Sequence, residues 1–237
     1  MEYIYPHKEI KNLKSKYSVS EIKHMSMEEN EDEASKVIAP ERTKAVPRFR
    51  KGVDEEVKGT LRGTAYHRFF EILNYDCCKD YNSIEEYLKA SVAAGKISKE
   101  YAGLINLKRF EEFLQTDLGK RMGSAYKKGL LFREQPFIME LGADMIDNEY
   151  PSDEKILVQG IVDAFFFEDD KVYIVDYKTD RVEQGKAGEK ALVERYHKQL
   201  ELYADTISRV TGKETGGCYI YSTCLKKEIL IEFPSYT

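Results

Sequence analysis

The sequence predicts an α/β fold in which helices cover a central sheet. Two observations carry that expectation. The apolar period changes along the chain from helical to alternating and back again. Three β-rich runs lie together between two amphipathic helical stretches, and further short β-rich runs close the chain.

Taken in order, residues 1–25 mix tyrosines, lysines and short apolar clusters without clear periodicity. Residues 28–58 hold an acidic run (Glu28, Glu29, Glu31, Asp32, Glu33), then Pro40, Pro47 and a basic cluster at Arg48, Arg50 and Lys51. Dense charge and few apolar residues predict an irregular linker there. From residue 59 the pattern tightens: Tyr66, Phe69, Phe70 and Leu73 recur at helical spacing. Ser83 followed by Glu86 reads as a capping box opening a second helix, with Gly95 as its stop. Leu107, Phe110, Leu114 and Leu118 mark one more amphipathic helix, so residues 74–128 are expected to be helical throughout. Strands are predicted at 130–141, 156–167 and 171–178, separated by turn formers such as Glu168-Asp169-Asp170. Leu192, Tyr196, Leu200, Tyr203 and Ile207 share one face of a following helix, and residues 217–223 and 228–233 end the pattern as strands.

Composition narrows the function classes. The 237 residues suffice for one sizeable core, with or without an appendage. No apolar run approaches the roughly 20 residues that a membrane-spanning helix needs. The start, MEYIYPHKEI, is not that of a signal peptide. Cys77, Cys78, Cys218 and Cys224 form no CxxC, which argues against a zinc site or a disulfide framework and favours a reducing, cytoplasmic home. With 37 basic and 42 acidic side chains the net charge is −5. That weakly disfavours a non-specific DNA binder, yet it leaves room for acidic metal ligands beside a local basic surface.

Residues 156–180 carry the chemistry. Asp163 lies within an apolar strand and Asp176 at the end of the next, two residues before Lys178. Positions i and i+2 of a strand share a face, so Asp176 and Lys178 project together, and Asp163 reaches them if the strands are neighbours. Two buried carboxylates cost several kcal/mol without a compensating cation. A divalent ion with a lysine beside it is what phosphodiester hydrolysis uses. A solvent-facing Asp-x-Lys ion pair remains the alternative. His67, within Gly63-Thr-Ala-Tyr-His67, and Gln199 with Tyr203, four residues apart on one helix face, are each weak signals alone.

In this order the four elements resemble one family. Gly63–His67, Asp163, Asp176–Lys178 and Gln199–Tyr203 are similar to the motifs of the RecB-type branch of the PD-(D/E)XK nucleases. The longer strings Gln159-Gly-Ile-Val-Asp163 and Asp176-Tyr-Lys-Thr-Asp-Arg-Val182 look like the nuclease domains of AddA-type helicase–nuclease subunits. Tyr219-Ile-Tyr-Ser222 fits that family's following strand, while Tyr5-Pro6 and Ser18–Ile22 look like its lead-in from the helicase.

The resemblance implies a restriction-endonuclease-like core: a central mixed sheet flanked by helices, with a helical insertion and an irregular N-terminal arm. It implies an arm and linker over 1–58 and a nuclease domain over 59–237. His67, Asp163, Asp176 and the Tyr177 carbonyl would hold Mg²⁺ or Mn²⁺, with Lys178 as the catalytic lysine. Gln199 and Tyr203 would orient the site or the DNA, with Gly63 and Glu134 supporting. Arg181, Lys186, Lys190, Arg195 and Lys198 would track a single strand's phosphates if they flank the site. Lys120, Arg121, Lys127 and Lys128 form a second basic group.

Some relatives, AddB among them, pin this core with an iron–sulfur cluster. The cysteine spacing here lacks their C-x-x-C, so no cluster is expected. The activity implied is an exonuclease acting chiefly on single-stranded DNA in double-strand break repair and recombination. Its partners would be helicase domains of the same polypeptide and an AddB-like subunit, with no membrane. No Gly-x-x-x-x-Gly-Lys-Ser/Thr occurs, so this chain should cut without hydrolysing ATP. A nuclease-like module kept only for DNA binding or docking is the rival reading, and intact Asp163, Asp176 and Lys178 count against it. A carboxylate-rich enzyme acting on small molecules is a third, disfavoured by Gln199–Tyr203 and the basic runs.

Overall fold

A six-stranded mixed sheet forms the centre, with helices packed on both faces. The computed structural model describes residues 13–22, 25, 51–145, 150–151 and 153–233. The expectations for Tyr5-Pro6, the acidic run and the prolines at 40 and 47 lie outside these. The strands are β1 (Lys16–Ser18), β2 (Leu131–Gly142), β3 (Lys155–Glu168), β4 (Lys171–Lys178), β5 (Thr215–Ser222) and β6 (Lys227–Ile231). The helices are α1 (Lys51–Ile72), α2 (Tyr81–Ala93), α3 (Lys99–Leu104), α4 (Leu107–Gln115), α5 (Asp117–Lys127) and α6 (Lys186–Thr211).

The spatial order is β1-β3-β4-β5-β6, with β2 on the other edge of β3. β1 and β3 are parallel, as are β4 and β5, while the remaining pairs are antiparallel. The parallel β4–β5 step requires a crossover, and α6 supplies it. Its apolar stripe of Leu192, Tyr196, Leu200, Tyr203 and Ile207 is buried against Val172, Ile174 and Ile220. The opposite face belongs to the helical layer, where Phe69, Phe70, Phe110, Phe113 and Met122 enclose Val175, Tyr177 and Tyr221. Alternation along β4 thus sends Tyr177 to one layer and its neighbours Asp176 and Lys178 to the other.

Four sequence expectations need correction. α1 opens at Lys51, so residues 51–58 are helical rather than irregular, and the helix runs through the expected boundary at 58. The capping box of α2 is shifted: Asp80 is the cap, its carboxylate accepting the Ser83 amide while the Ser83 hydroxyl accepts the Asp80 amide. The single helix expected over 107–118 is two, because Thr116 is extended (ψ 161) and caps α5 through the Gly119 amide. β1 lies in a stretch read as patternless, since three residues are too few to show an alternation.

The long strand β3 arranges the site. One edge pairs with β2 from Lys155 to Phe166. The other is shared end to end, β1 taking residues 157–159 and β4 taking 164–168. Between them the ladder is interrupted, and Asp163 stands at the interruption.

Candidate active site

The register aligns three acidic residues across three strands. Arg133 faces Ala164 and Gln135 faces Val162, which puts Glu134 opposite Asp163. Ala164 faces Val175, which puts Asp163 opposite Asp176. Like charges directly opposed destabilise a sheet. Here the backbone contributes as well, since Glu134 has a left-handed φ of 48°. For a residue with a Cβ that conformation costs about 1–2 kcal/mol.

Asp163 fills the gap where β3 and β4 part. The Tyr177 amide, beyond the last β3–β4 pair, donates to Asp163 Oδ2 at 2.9 Å. His67 Nδ1 lies 3.3 Å from the same oxygen. The histidine is placed by its helix: Phe70, one turn on, stacks flat on Tyr177 with centroids 3.9 Å apart. Gly63, one turn before, lets α1 approach the end of β4, because a Cβ there would sit 3.2 Å from Thr179 Oγ1.

Asp176 is wholly buried. Gln199 Nε2 donates to its Oδ1 at 2.9 Å and to the Tyr203 hydroxyl at 2.9 Å. Lys178 Nζ stands 2.7 Å from Oδ2, yet that buried oxygen receives no hydrogen bond of good geometry. The ammonium also lies over the Tyr196 ring, 4.2 Å from its centroid. Asp180 accepts from the Tyr196 hydroxyl and from Arg195, each at 2.9 Å.

Burial pushes the Asp176 carboxyl up to about 6, Asp163 adding to the push and Lys178 opposing it. Burial and the nearby Asp163 push Glu134 up to about 7. Burial works against ionisation of Asp163 too, but His67, Lys178 and the Tyr177 amide outweigh it and hold that carboxyl below its usual range. Burial opposes the charge on Lys178 as well, and Asp176 with Asp163 outweighs it, so the ammonium is retained.

These residues fit a divalent cation. Ligand atoms of His67, Glu134 and Asp163 lie within 4.8 Å of one another. Asp176 falls outside that trio, its carboxylate turned to Lys178 and Gln199, but it keeps one oxygen without a directed donor. Glu134, expected only as a support, is therefore as well placed for a metal as Asp163. Its part was not legible because the left-handed kink that turns it into the site leaves the register unchanged.

The proposed phosphate contacts are not all directed at the site. Lys190 pairs with Glu194, Lys198 with Glu201 and Arg195 with Asp180. Arg181 and Lys186 are exposed, as are Lys120, Lys127 and Lys128. Arg121 is spent on Glu168 and the Tyr173 ring. Tyr196 and Asp180 were missed as site residues, although Tyr196 precedes Gln199 by one helical turn on the same face. Cys78 and Cys218 are buried on opposite sides of the sheet.

Glu134→Gly should raise the stability of the metal-free protein by about 1 kcal/mol, since glycine accepts a positive φ freely. A carboxyl whose folded pKa lies above its unfolded value loses stability as pH rises through that interval. The gain should accordingly be larger at pH 8 than at pH 5, while metal affinity falls. Thermal denaturation at both pH values with EDTA, beside calorimetric titration with Mn²⁺, checks this; an unchanged metal affinity would remove Glu134 from the ligand set.

Sheet, helices and acidic row together are those of a nuclease: the chain belongs to the PD-(D/E)XK nuclease superfamily, whose family model matches residues 42–233. Its similar curated relatives are ATP-dependent helicase/nuclease subunits A. That of Clostridium perfringens strain SM101 is 33% identical over 234 residues, 93% of this chain. That of Clostridium beijerinckii is 34% identical over 239 residues, 98% of this chain. The Thermoanaerobacter pseudethanolicus subunit is 34% identical over 227 residues, 93% of this chain. The chain spans 18% of the length of each.

Proposed function

We propose that this chain is a divalent-metal-dependent deoxyribonuclease domain that hydrolyses phosphodiester bonds, chiefly in single-stranded DNA. The observation that carries this is the row Glu134–Asp163–Asp176, buried beside Lys178 and His67 with one Asp176 oxygen lacking a directed donor. Mg²⁺ or Mn²⁺ held there would neutralise the scissile phosphate and lower the pKa of a bound water. His67, Glu134 and Asp163 would hold the ion, with Asp176 and the Tyr177 carbonyl completing its surroundings. Gln199, braced by Tyr203, keeps the Asp176 carboxylate turned into the site. Lys178, held by Asp176 and the Tyr196 ring, presents a fixed positive charge to the phosphate. Arg181 and Lys186 would meet the strand's backbone.

The relatives' names support a wider setting. We infer an exonuclease working within a helicase–nuclease in double-strand break repair and recombination. Helicase domains would come from the same polypeptide, beside an AddB-like partner subunit, in the cytoplasm. Among the described residues no helix is long and apolar enough to cross a membrane. The chain would divide into an arm over 1–58 and a nuclease domain over 59–237, joined by the continuous helix α1. Radiolabelled single-stranded DNA should be cut with Mg²⁺ or Mn²⁺, spared with EDTA, and cut equally with or without ATP. Blunt duplex should be cut far more slowly. Brisk cutting in EDTA would overturn the metal-dependent reading, and measured ATP hydrolysis would overturn the view that translocation resides elsewhere.

A further inference from the structure

A cleft of about 720 Å³ opens beside the acidic row. It is lined by Ser18, Val19 and Ser20, by Phe137 and Ile138 of β2, by Gln159, Gly160 and Ile161 of β3, and by Tyr203. Its floor is the stretch of β3 between the end of β1 and the end of β4, where the ladder on that edge is interrupted. Tyr203 belongs to both places. Its hydroxyl accepts from Gln199 Nε2, which also donates to Asp176, so two 2.9 Å hydrogen bonds in succession span from cleft to carboxylate.

Its walls suit a flat, partly apolar ligand. Phe137 meets the Tyr203 ring edge to face at 5.7 Å. Ile138 and Ile161 remain 63% and 50% exposed, although both lie on paired strands. A Cβ on Gly160 would come within 2.9 Å of both Phe137 and Val19, so glycine is what lets these walls close around the floor. The Ser20 side chain and the Gln159 amide stand at the rim as polar groups. The volume lies within the roughly 300–1,000 Å³ of small-ligand sites and leaves room for one nucleotide unit.

We propose that this cleft receives an unpaired nucleobase, with its deoxyribose, from the strand whose phosphate lies on the acidic row. The proposal rests on the nuclease reading and deepens it. A base can enter only after leaving its partner, which a duplex resists and a single strand permits. Preference for single strands is then set by this cleft rather than by the carboxylates, which meet a phosphate common to both forms.

The test is equilibrium binding of the 237-residue chain to a fluorescent oligothymidylate and to an equally long strand of abasic deoxyribose spacers, both in EDTA. The intact strand should bind about tenfold more tightly, the scale of one base contact. Ile161→Trp, from the floor, and Ser20→Trp, from the segment after β1, both at exposed positions, should fill the cleft and each bring that ratio close to one. Equal binding of the two strands by the unaltered chain, or a tenfold ratio that survives both substitutions, would overturn the proposal. The nuclease reading is judged separately, by metal-dependent cutting of the intact strand. Cutting without base discrimination sinks the cleft alone, and discrimination without cutting sinks the nuclease reading alone.

Discussion

Asp176→Ala should lower metal-dependent cleavage by on the order of a thousandfold or more, because it removes a carboxylate at the scissile phosphate. Binding of single strands should stay the same or tighten, since a negative charge facing the phosphates is lost. Alanine also leaves the Lys178 ammonium without its nearest partner, and an uncompensated buried charge costs about 3–5 kcal/mol. Asp176→Asn retains the shape and the Gln199 hydrogen bond, and it should be as inactive while folding better. Lys178→Ala is the complementary case. It should cripple turnover by about a hundredfold or more, the scale of losing one preorganised group, while metal binding is largely unharmed. Cleavage assays on labelled single strands, paired with metal titration calorimetry, separate the two roles. Wild-type cutting by Asp176→Ala would end the proposed mechanism.

Phe70→Ala should destabilise the protein by about 3–5 kcal/mol, the usual range for truncating a core phenylalanine. The ring is fully buried, lies flat on Tyr177, and meets Phe110 at 4.5 Å and Phe113 at 5.1 Å. Little around it can collapse into the cavity, since its neighbours are themselves locked aromatics. The effect on the site is indirect. Tyr177 lies between Asp176 and Lys178, and His67 is one helical turn from Phe70, so this stack aligns α1 with β4. Phe70→Leu should cost less and allow metal affinity to be measured in a folded protein, where it should fall. Denaturant unfolding checks the first expectation, and a loss below about 1 kcal/mol would mean that α1 is not anchored there.

The carboxylates and the lysine were readable because β4 is short, apolar and ends in charge. An Asp-x-Lys after four apolar or aromatic residues has few explanations. α6 was readable because one stripe of large residues, Leu192 to Ile207, repeats every three or four residues over about four turns. Thr116 was not: the apolar spacing of Leu107, Phe110, Leu114 and Leu118 runs on through it. Only its side-chain hydrogen bond to Gly119 divides the segment into α4 and α5. The helix over 51–58 was hidden by its charge, which in isolation describes a linker equally well.

By itself the sequence determined the layers, the order of most elements and which strands carry Asp163, Asp176 and Lys178, since these follow from local periodicity and from the types of residue. Tertiary structure alone decided that β3 divides one edge between β1 and β4, and that Asp163 stands at the interruption. It alone turned Glu134 toward His67 and set Tyr196 under Lys178. The physical reason is range. Periodicity reports which face of its own element a side chain takes, whereas register, strand parting and a left-handed residue are settled by packing between segments far apart in the chain. Their energies of a few kcal/mol leave no mark on the residues in between.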